Sequence, residues 1–172
     1  MKNLEGLKLV TRGDREILMT RELNAPRRLV FHAFTKPELV KRWLLGPPGW
    51  SMPVCEIDLR VGGAYRHVWV NADGRQMGMG GVYREIVAPE RLVATERFNE
   101  AWYPGEAVGT LVLSEEGGIT RVTQTVGYES REARDVVLKS GMERGVAASY
   151  DRLAEILMSL PAQAIEKGAG ES

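Results

Sequence analysis

The stretch from residue 130 to residue 160 constrains the fold of this chain more than any other segment. At helical spacing, one face of it carries Met142, Val146, Ser149, Leu153, Ile156, Leu157 and Leu160. Toward its start the same face also holds Asp135 and Lys139. The pattern predicts one long helix whose last turns close a core and whose first turns border an open space.

Two glycines on this face need an explanation, because a glycine inside a helix costs about 1 kcal/mol relative to alanine. Gly141 and Gly145 lie about one turn apart. Their small size indicates either room for a cavity or the close approach of another backbone. The sequence leaves both alternatives open.

Length and charge limit the classes of protein to which the chain can belong. Its 172 residues predict a single domain over residues 1–160 and a flexible tail over 161–172. Lys and Arg together number 23, as do Asp and Glu, which argues against a nucleic acid or an anionic membrane as the partner. No apolar run reaches the roughly 18 residues of a membrane span. Cys55 is the only cysteine, which fits a reducing compartment, so we expect a cytoplasmic protein.

The remaining sequence reads mainly as strands. Two short helices follow the first strand; one begins at Pro26, and the other is capped by Thr35 with Glu38 three residues later. Alternating apolar residues and turn signals predict strands over residues 17–23, 52–59, 64–70, 76–87, 92–98, 107–113 and 120–128. The chain is therefore predicted to be α+β, with a curved antiparallel sheet of about six or seven strands around the terminal helix and a pocket between them.

Several local motifs have structural interpretations. Asp58 and Arg60 lie on one strand face near a Gly-Gly turn and are predicted to form an ion pair. Cys55 alternates with apolar residues, as a small buried side chain would. The glycine-rich segment 78–81 lies inside a strand and lacks the lysine and helix of a phosphate loop, so we expect it to bend the sheet.

Short motifs in a fixed order identify a family. They are Asn24-Ala25-Pro26, Trp43 followed by residues 46–50 (GPPGW), residues 58–63 (DLRVGG), residues 81–83 (GVY) and residues 141–153. In this order and spacing the chain resembles the START-like, or SRPBCC, superfamily with its helix-grip fold, and within it the branch called activator of Hsp90 ATPase homologue 1-like. The resemblance implies a domain that binds apolar or amphipathic small molecules in a central cavity, without a shared reaction. Many relatives carry a second Trp where this chain has Leu44, so the wall differs there.

Methionine and aromatic side chains are the candidates for the lining of that cavity, because they adapt to a flat or apolar ligand. Tyr65, His67 and Trp69 alternate on one strand and share a face. We place that face on the concave side, because large aromatic side chains gain from burial; the alternative is a solvent-facing surface. The candidate ligand-binding residues are Trp43, Trp50, Met52, Tyr65, His67, Met77, Met79, Phe98, Trp102, Met142, Val146 and Tyr150.

Catalysis has only two candidate residues, His67 and Glu96. A Glu96 that faces inward would be a carboxylate with a raised pKa and could orient His67 as a base. The alternative is that Glu96 pairs with Arg84 or Arg97 on the outer face. His32 is interpreted as a residue at the boundary of the first helix. The two histidines lack metal-ligand spacing, and we expect neither a metal nor a cofactor.

Three functions remain open from the sequence. The preferred one is binding of a small hydrophobic or amphipathic molecule; the others are an enzyme of the cyclase, dehydratase or hydrolase type and an Hsp90 co-chaperone. The co-chaperone is disfavoured, because the family's activators carry a further N-terminal domain and only about fifteen residues precede the predicted first strand here. A homodimer is possible.

Overall fold

The computed structural model describes residues 4, 6–100 and 102–160, so the predicted tail over 161–172 lies outside the described residues. The strands are β1 (Lys8–Arg12), β2 (Glu16–Leu23), β3 (Trp50–Ile57), β4 (Ala64–Asn71), β5 (Gln76–Val87), β6 (Arg91–Phe98), β7 (Ala107–Glu116) and β8 (Ile119–Gly127). The helices are α1 (Arg27–Thr35), α2 (Pro37–Trp43), α3 (Arg131–Lys139) and α4 (Met142–Ser159).

All eight strands form one antiparallel sheet in the order β1-β2-β8-β7-β6-β5-β4-β3. Helices α1 and α2 connect β2 to β3 at the far edge, and the curved sheet encloses the C-terminal helices. The predicted α+β helix-grip fold is confirmed, with one strand more than expected. The additional strand is β1, which pairs with β2 from Lys8↔Thr20 to Arg12↔Glu16. Most of its residues are exposed, so an edge strand of this kind carries little alternating signal.

The boundary between α1 and α2 differs from the prediction. Pro26 precedes α1 as its N-cap residue, close to the predicted start. Thr35, however, does not cap α2. It is still part of α1, and its hydroxyl donates to the Phe31 carbonyl at 2.8 Å. Lys36 occupies the cap position, and Pro37 supplies the first turn, where a missing amide proton is harmless.

The single long C-terminal helix was a wrong prediction, because the structure has two helices there. The break falls at Ser140 and Gly141, and Gly141 adopts the left-handed region with φ of +79°. Only glycine enters that region readily. The Ser140 hydroxyl donates to the Val137 carbonyl and helps to close α3. At helical spacing the buried α3 residues Ala133 and Val137 lie on the side opposite Leu153 of α4, so the buried face changes across the break. Asp135 and Lys139, which the single-helix prediction placed on the apolar face, are the sequence signal of that change.

The core lies on both sides of this break. Ala133 and Val137 of α3 pack with the β2 and β8 side chains Ile17 and Val126. The second half of α4 packs over β2, β7, β8 and α1, with Leu153 fully buried. The first half of α4 instead faces an open space beside β4, β5 and β6. No helix in the described part of the chain is long and apolar enough to span a membrane.

Candidate functional site

A cavity of about 510 Å³ separates the sheet from α2, α3 and α4. Most of its wall is apolar or aromatic, as in sites for small organic molecules. The structure places all but one of the predicted lining residues on this wall, namely Trp43, Trp50, Tyr65, His67, Met77, Met79, Phe98, Trp102, Met142, Val146 and Tyr150.

The exception among the predicted lining residues is Met52, which lies outside the cavity wall. Its side chain is buried with Val40, Cys55 and Trp69 in a small cluster between α2 and the sheet. Helix α2 therefore packs over Met52 and separates its side chain from the cavity. Cys55 is buried in the same cluster, as predicted, and burial raises the pKa of its thiol to about 11.

One row of aromatic side chains on β4 forms part of the concave wall. Ring centroids of Tyr65 and His67 are 5.2 Å apart, and those of His67 and Trp69 are 5.7 Å apart. Alternation along the strand puts all three on the same face. The polar atoms at the ends of this row are satisfied: Tyr65 donates to the Thr95 carbonyl and Trp69 to the Leu44 carbonyl, each at 2.7 Å.

A second aromatic group connects the helices to the cavity. Trp43 packs against Phe34 with a centroid distance of 4.8 Å and against Tyr150 at 5.8 Å. The indole N–H of Trp43 donates to the Ala33 carbonyl at 2.8 Å. The Tyr150 hydroxyl donates to Oε1 of Gln124 at 3.3 Å, which fixes α4 against β8. This side of the wall is thus held by buried polar contacts as well as packing.

Glycines allow the backbone segments around the cavity to approach closely. A Cβ on Gly81 would overlap the Thr95 carbonyl, and one on Gly80 would lie 2.8 Å from the Tyr65 carbonyl. In α4, a Cβ on Gly145 would lie 3.3 Å from Pro47. The sequence left open whether Gly145 makes room for a cavity or for another backbone segment. It does both, because the loop before β3 packs closely against it and it also lines the cavity.

Exposed wall residues mark where the cavity meets solvent. Pro47 is exposed, as are Met77 at 41% and Trp102 at 39% of their full surface. They come from three different loops or strand ends. Lys139, which the sequence placed near the rim, is exposed at the end of α3, but the α3 side chain on the cavity wall is Val137. We define the mouth of the cavity by Pro47, Met77 and Trp102.

His67 and Glu96 both lie on the wall, but they do not form the predicted pair. Within the described residues neither side chain has a hydrogen bond to the other, and Nδ1 of His67 is buried without a partner. Burial lowers the pKa of His67 to about 4, whereas the prediction was that Glu96 would raise its basicity. His67 is therefore a neutral imidazole at physiological pH.

Glu96 faces the cavity and has no ion pair within the described chain. The two arginines considered as outer-face partners contact Glu106 instead, Arg84 at 3.6 Å and Arg97 at 3.9 Å. Burial raises the pKa of Glu96 to about 7. A carboxyl group in this environment is neutral or ionised depending on small changes of pH or ligand.

Several wall residues were not among the predicted candidates. Trp69 shares the predicted face of β4 and could have been included by alternation alone. Tyr103 lies in the β6–β7 loop and Tyr128 just beyond β8, where no periodic pattern indicates a direction. The other unpredicted polar or aromatic members of the wall are Phe34, Tyr83, Gln124 and Ser149.

Comparison with known proteins agrees with the family resemblance. A family model described as Activator of Hsp90 ATPase homolog 1-like protein matches residues 24–158. A crystal structure of a Rhodobacter sphaeroides protein is similar, with a TM-score of 0.85 and 29% identity over 91% of this chain and 100% of that chain. A crystal structure of a Chromobacterium violaceum protein gives a TM-score of 0.74 and 29% identity over 84% and 98% of the two chains. No curated protein matches the chain.

Proposed function

The chain belongs to the family of Activator of Hsp90 ATPase homolog 1-like proteins, and from the cavity found in it we propose that it binds a small hydrophobic or amphipathic molecule between its sheet and α4. The cavity itself is the observation that carries the proposal. Its volume of about 510 Å³ lies in the range of sites for drug-sized ligands. Packed protein interiors rarely leave voids much larger than a water molecule, so a space of this size has a cost in stability.

Side chains at the mouth support the same function. Met77 and Trp102 expose large apolar surfaces that would otherwise be expected in the core. Met79 and Met142 continue the apolar wall inward, and methionine side chains can reshape around different ligands. A ligand that entered here would cover apolar surface that is now in contact with water. The balanced charge and the single cysteine support a cytoplasmic location for this activity.

Dye binding tests the proposal. An environment-sensitive dye such as ANS should bind the folded protein at neutral pH, and Met142→Trp should reduce the binding because the indole fills part of the cavity. Met158→Trp is the matched control, since Met158 is 79% exposed and lies outside the wall. Circular dichroism would verify that both variants are folded. Equal dye binding by both variants would count against the cavity as the site.

The other two functions receive less support. Catalysis was assigned to His67 and Glu96 acting together, and the structure gives no contact between them and a depressed His67 pKa. The family description names an Hsp90 ATPase activator, but a small-molecule cavity gives no argument for binding a chaperone. That Hsp90 is not a partner, and that the chain can form a homodimer, stay predictions. A pull-down with Hsp90 and a measurement of mass in solution test them.

A further inference from the structure

The ionisable side chains of the cavity wall carry charge of one sign only. Glu96 is the acidic residue on the wall, and no lysine or arginine of the described chain lines it. His67 also lies on the wall, and burial lowers its pKa to about 4, so the imidazole is neutral at physiological pH. A ligand inside the cavity therefore meets one carboxylate and no cation.

The carboxylate of Glu96 lies among aromatic hydroxyl groups. Burial raises the pKa of Tyr65, Tyr103 and Tyr128, and the nearby Glu96 carboxylate raises each further. Tyr103 is only 6% exposed, and its hydroxyl is buried with no hydrogen-bond partner in the described chain. Buried polar atoms are almost always paired, so polar groups on this side of the wall are not fully satisfied within the described chain.

We propose that the ligand is an amphipathic amine whose ammonium group lies at Glu96 and whose apolar body extends along the methionine and aromatic wall toward the mouth. The inference rests on the proposed function and specifies its ligand class. An ammonium group would pair with the carboxylate through charge-assisted hydrogen bonds, which are about twice as strong as those between neutral groups. Aromatic ring faces around it would add cation–π attraction, which is strongest in a desolvated site.

Other head groups fit this wall less well. An anionic head, such as a fatty acid carboxylate, would meet the like charge of Glu96 without a compensating cation on the wall. A neutral apolar head would leave the carboxylate unpaired in a largely apolar space, which is costly. The pKa of Glu96, raised to about 7 by burial, agrees with a carboxyl group that lacks its counterion in the empty cavity.

A series of ligands with one ten-carbon chain tests the charge of the head group. Decylamine, 1-decanol and decanoate are titrated calorimetrically into the wild type, Glu96→Gln and the control Glu143→Gln, at about pH 8, where Glu96 is ionised and the amine protonated. Glu143 is an exposed acid beside Met142 that lies outside the wall. Glutamine has the shape of glutamate, so Glu96→Gln removes the charge without filling or emptying the cavity.

We expect decylamine to bind the wild type about tenfold or more tightly than decanol, and Glu96→Gln to abolish this preference. Glu143→Gln should leave it intact, and decanol should bind all three proteins alike. Equal affinity for the amine and the alcohol, or tightest binding of decanoate, would overturn the amine inference while leaving the proposed function standing. If none of the three ligands binds, the proposed function fails, and the inference fails with it.

Discussion

Replacing Glu96 by Gln should stabilise the protein at alkaline pH and not at acidic pH. Burial raises the pKa of Glu96 from 4.5 to about 7 in the folded state, so folding favours the protonated carboxyl group. Each unit of pKa difference corresponds to about 1.4 kcal/mol, which gives about 3 kcal/mol between 4.5 and 7. This is an upper bound, because water that enters the cavity from its mouth stabilises the charge.

The sign of the effect follows from the two protonation states. Below pH 4.5 the carboxyl group is protonated in both the folded and unfolded chain, and Glu96→Gln should have nearly the stability of the wild type. As the pH rises from 4.5 to about 7, the wild type loses stability relative to the variant, because the carboxyl group ionises in the unfolded chain while the buried one stays protonated. Above that pH the variant should be more stable by up to about 3 kcal/mol.

Urea denaturation of both proteins at several pH values measures this difference. Comparing the two proteins cancels the other titrating groups, including His67, because both proteins contain them. Coincident stability curves from about pH 4 to pH 9 would refute the assignment of Glu96 as a buried, unpaired carboxyl group. So would a variant that is less stable than the wild type at high pH, since this would reveal a favourable ionic partner.

Three further predictions concern separate parts of the molecule. Leu153→Ala should lower the free energy of unfolding by about 2 to 5 kcal/mol, because Leu153 is fully buried. Lys139→Ala should change it by less than about 0.5 kcal/mol, because Lys139 is exposed. Equal losses of stability in chemical denaturation of the two variants would contradict this difference. Gly81→Ala should cost about 1 to 3 kcal/mol because its Cβ would overlap the Thr95 carbonyl, and an unchanged denaturation midpoint would show that the sheet can adjust. In an NMR titration His67 should remain neutral down to about pH 5, since burial lowers its pKa from 6.5 to about 4. The stability that the neutral imidazole contributes should be lost as the pH falls from 6.5 to about 4, where only the unfolded chain binds the proton. A midpoint near 6.5 would be inconsistent with this burial.

The sequence predicted the fold where the pattern was local. Alternation on β4 put Tyr65 and His67 on one face, and the argument from aromatic burial chose the concave side, in agreement with the structure. Periodicity analysis missed the break at Gly141, although Asp135 and Lys139 on the predicted apolar face indicated that the buried face changes before α4. It also missed β1, whose side chains mostly face solvent and so have no alternating pattern to detect.

The composition of the site depends on contacts between segments that are far apart in the sequence, and local sequence patterns do not predict such contacts. Glu96 faces the cavity, and the two arginines considered as its partners, Arg84 and Arg97, contact Glu106 of the β6–β7 loop instead. Tyr103 lies on the cavity wall and comes from the same loop, where the sequence has no periodic pattern to indicate which way a side chain points. Met52 has the alternation of an inward-facing strand residue, and it was misplaced because α2 covers that part of the sheet.

Methyl NMR of the methionines tests most directly whether the cavity is the binding site. The methionines on the cavity wall are Met19, Met77, Met79 and Met142. Met52 is buried behind α2 and Met158 is exposed on the outer face of α4, so both serve as internal controls. On titration with decylamine, we expect the methyl signals of the wall residues to shift together in a saturable manner while those of the two controls stay in place. Shifts confined to Met158, or no saturable shift of any wall methionine, would contradict the proposal that the ligand binds between the sheet and α4.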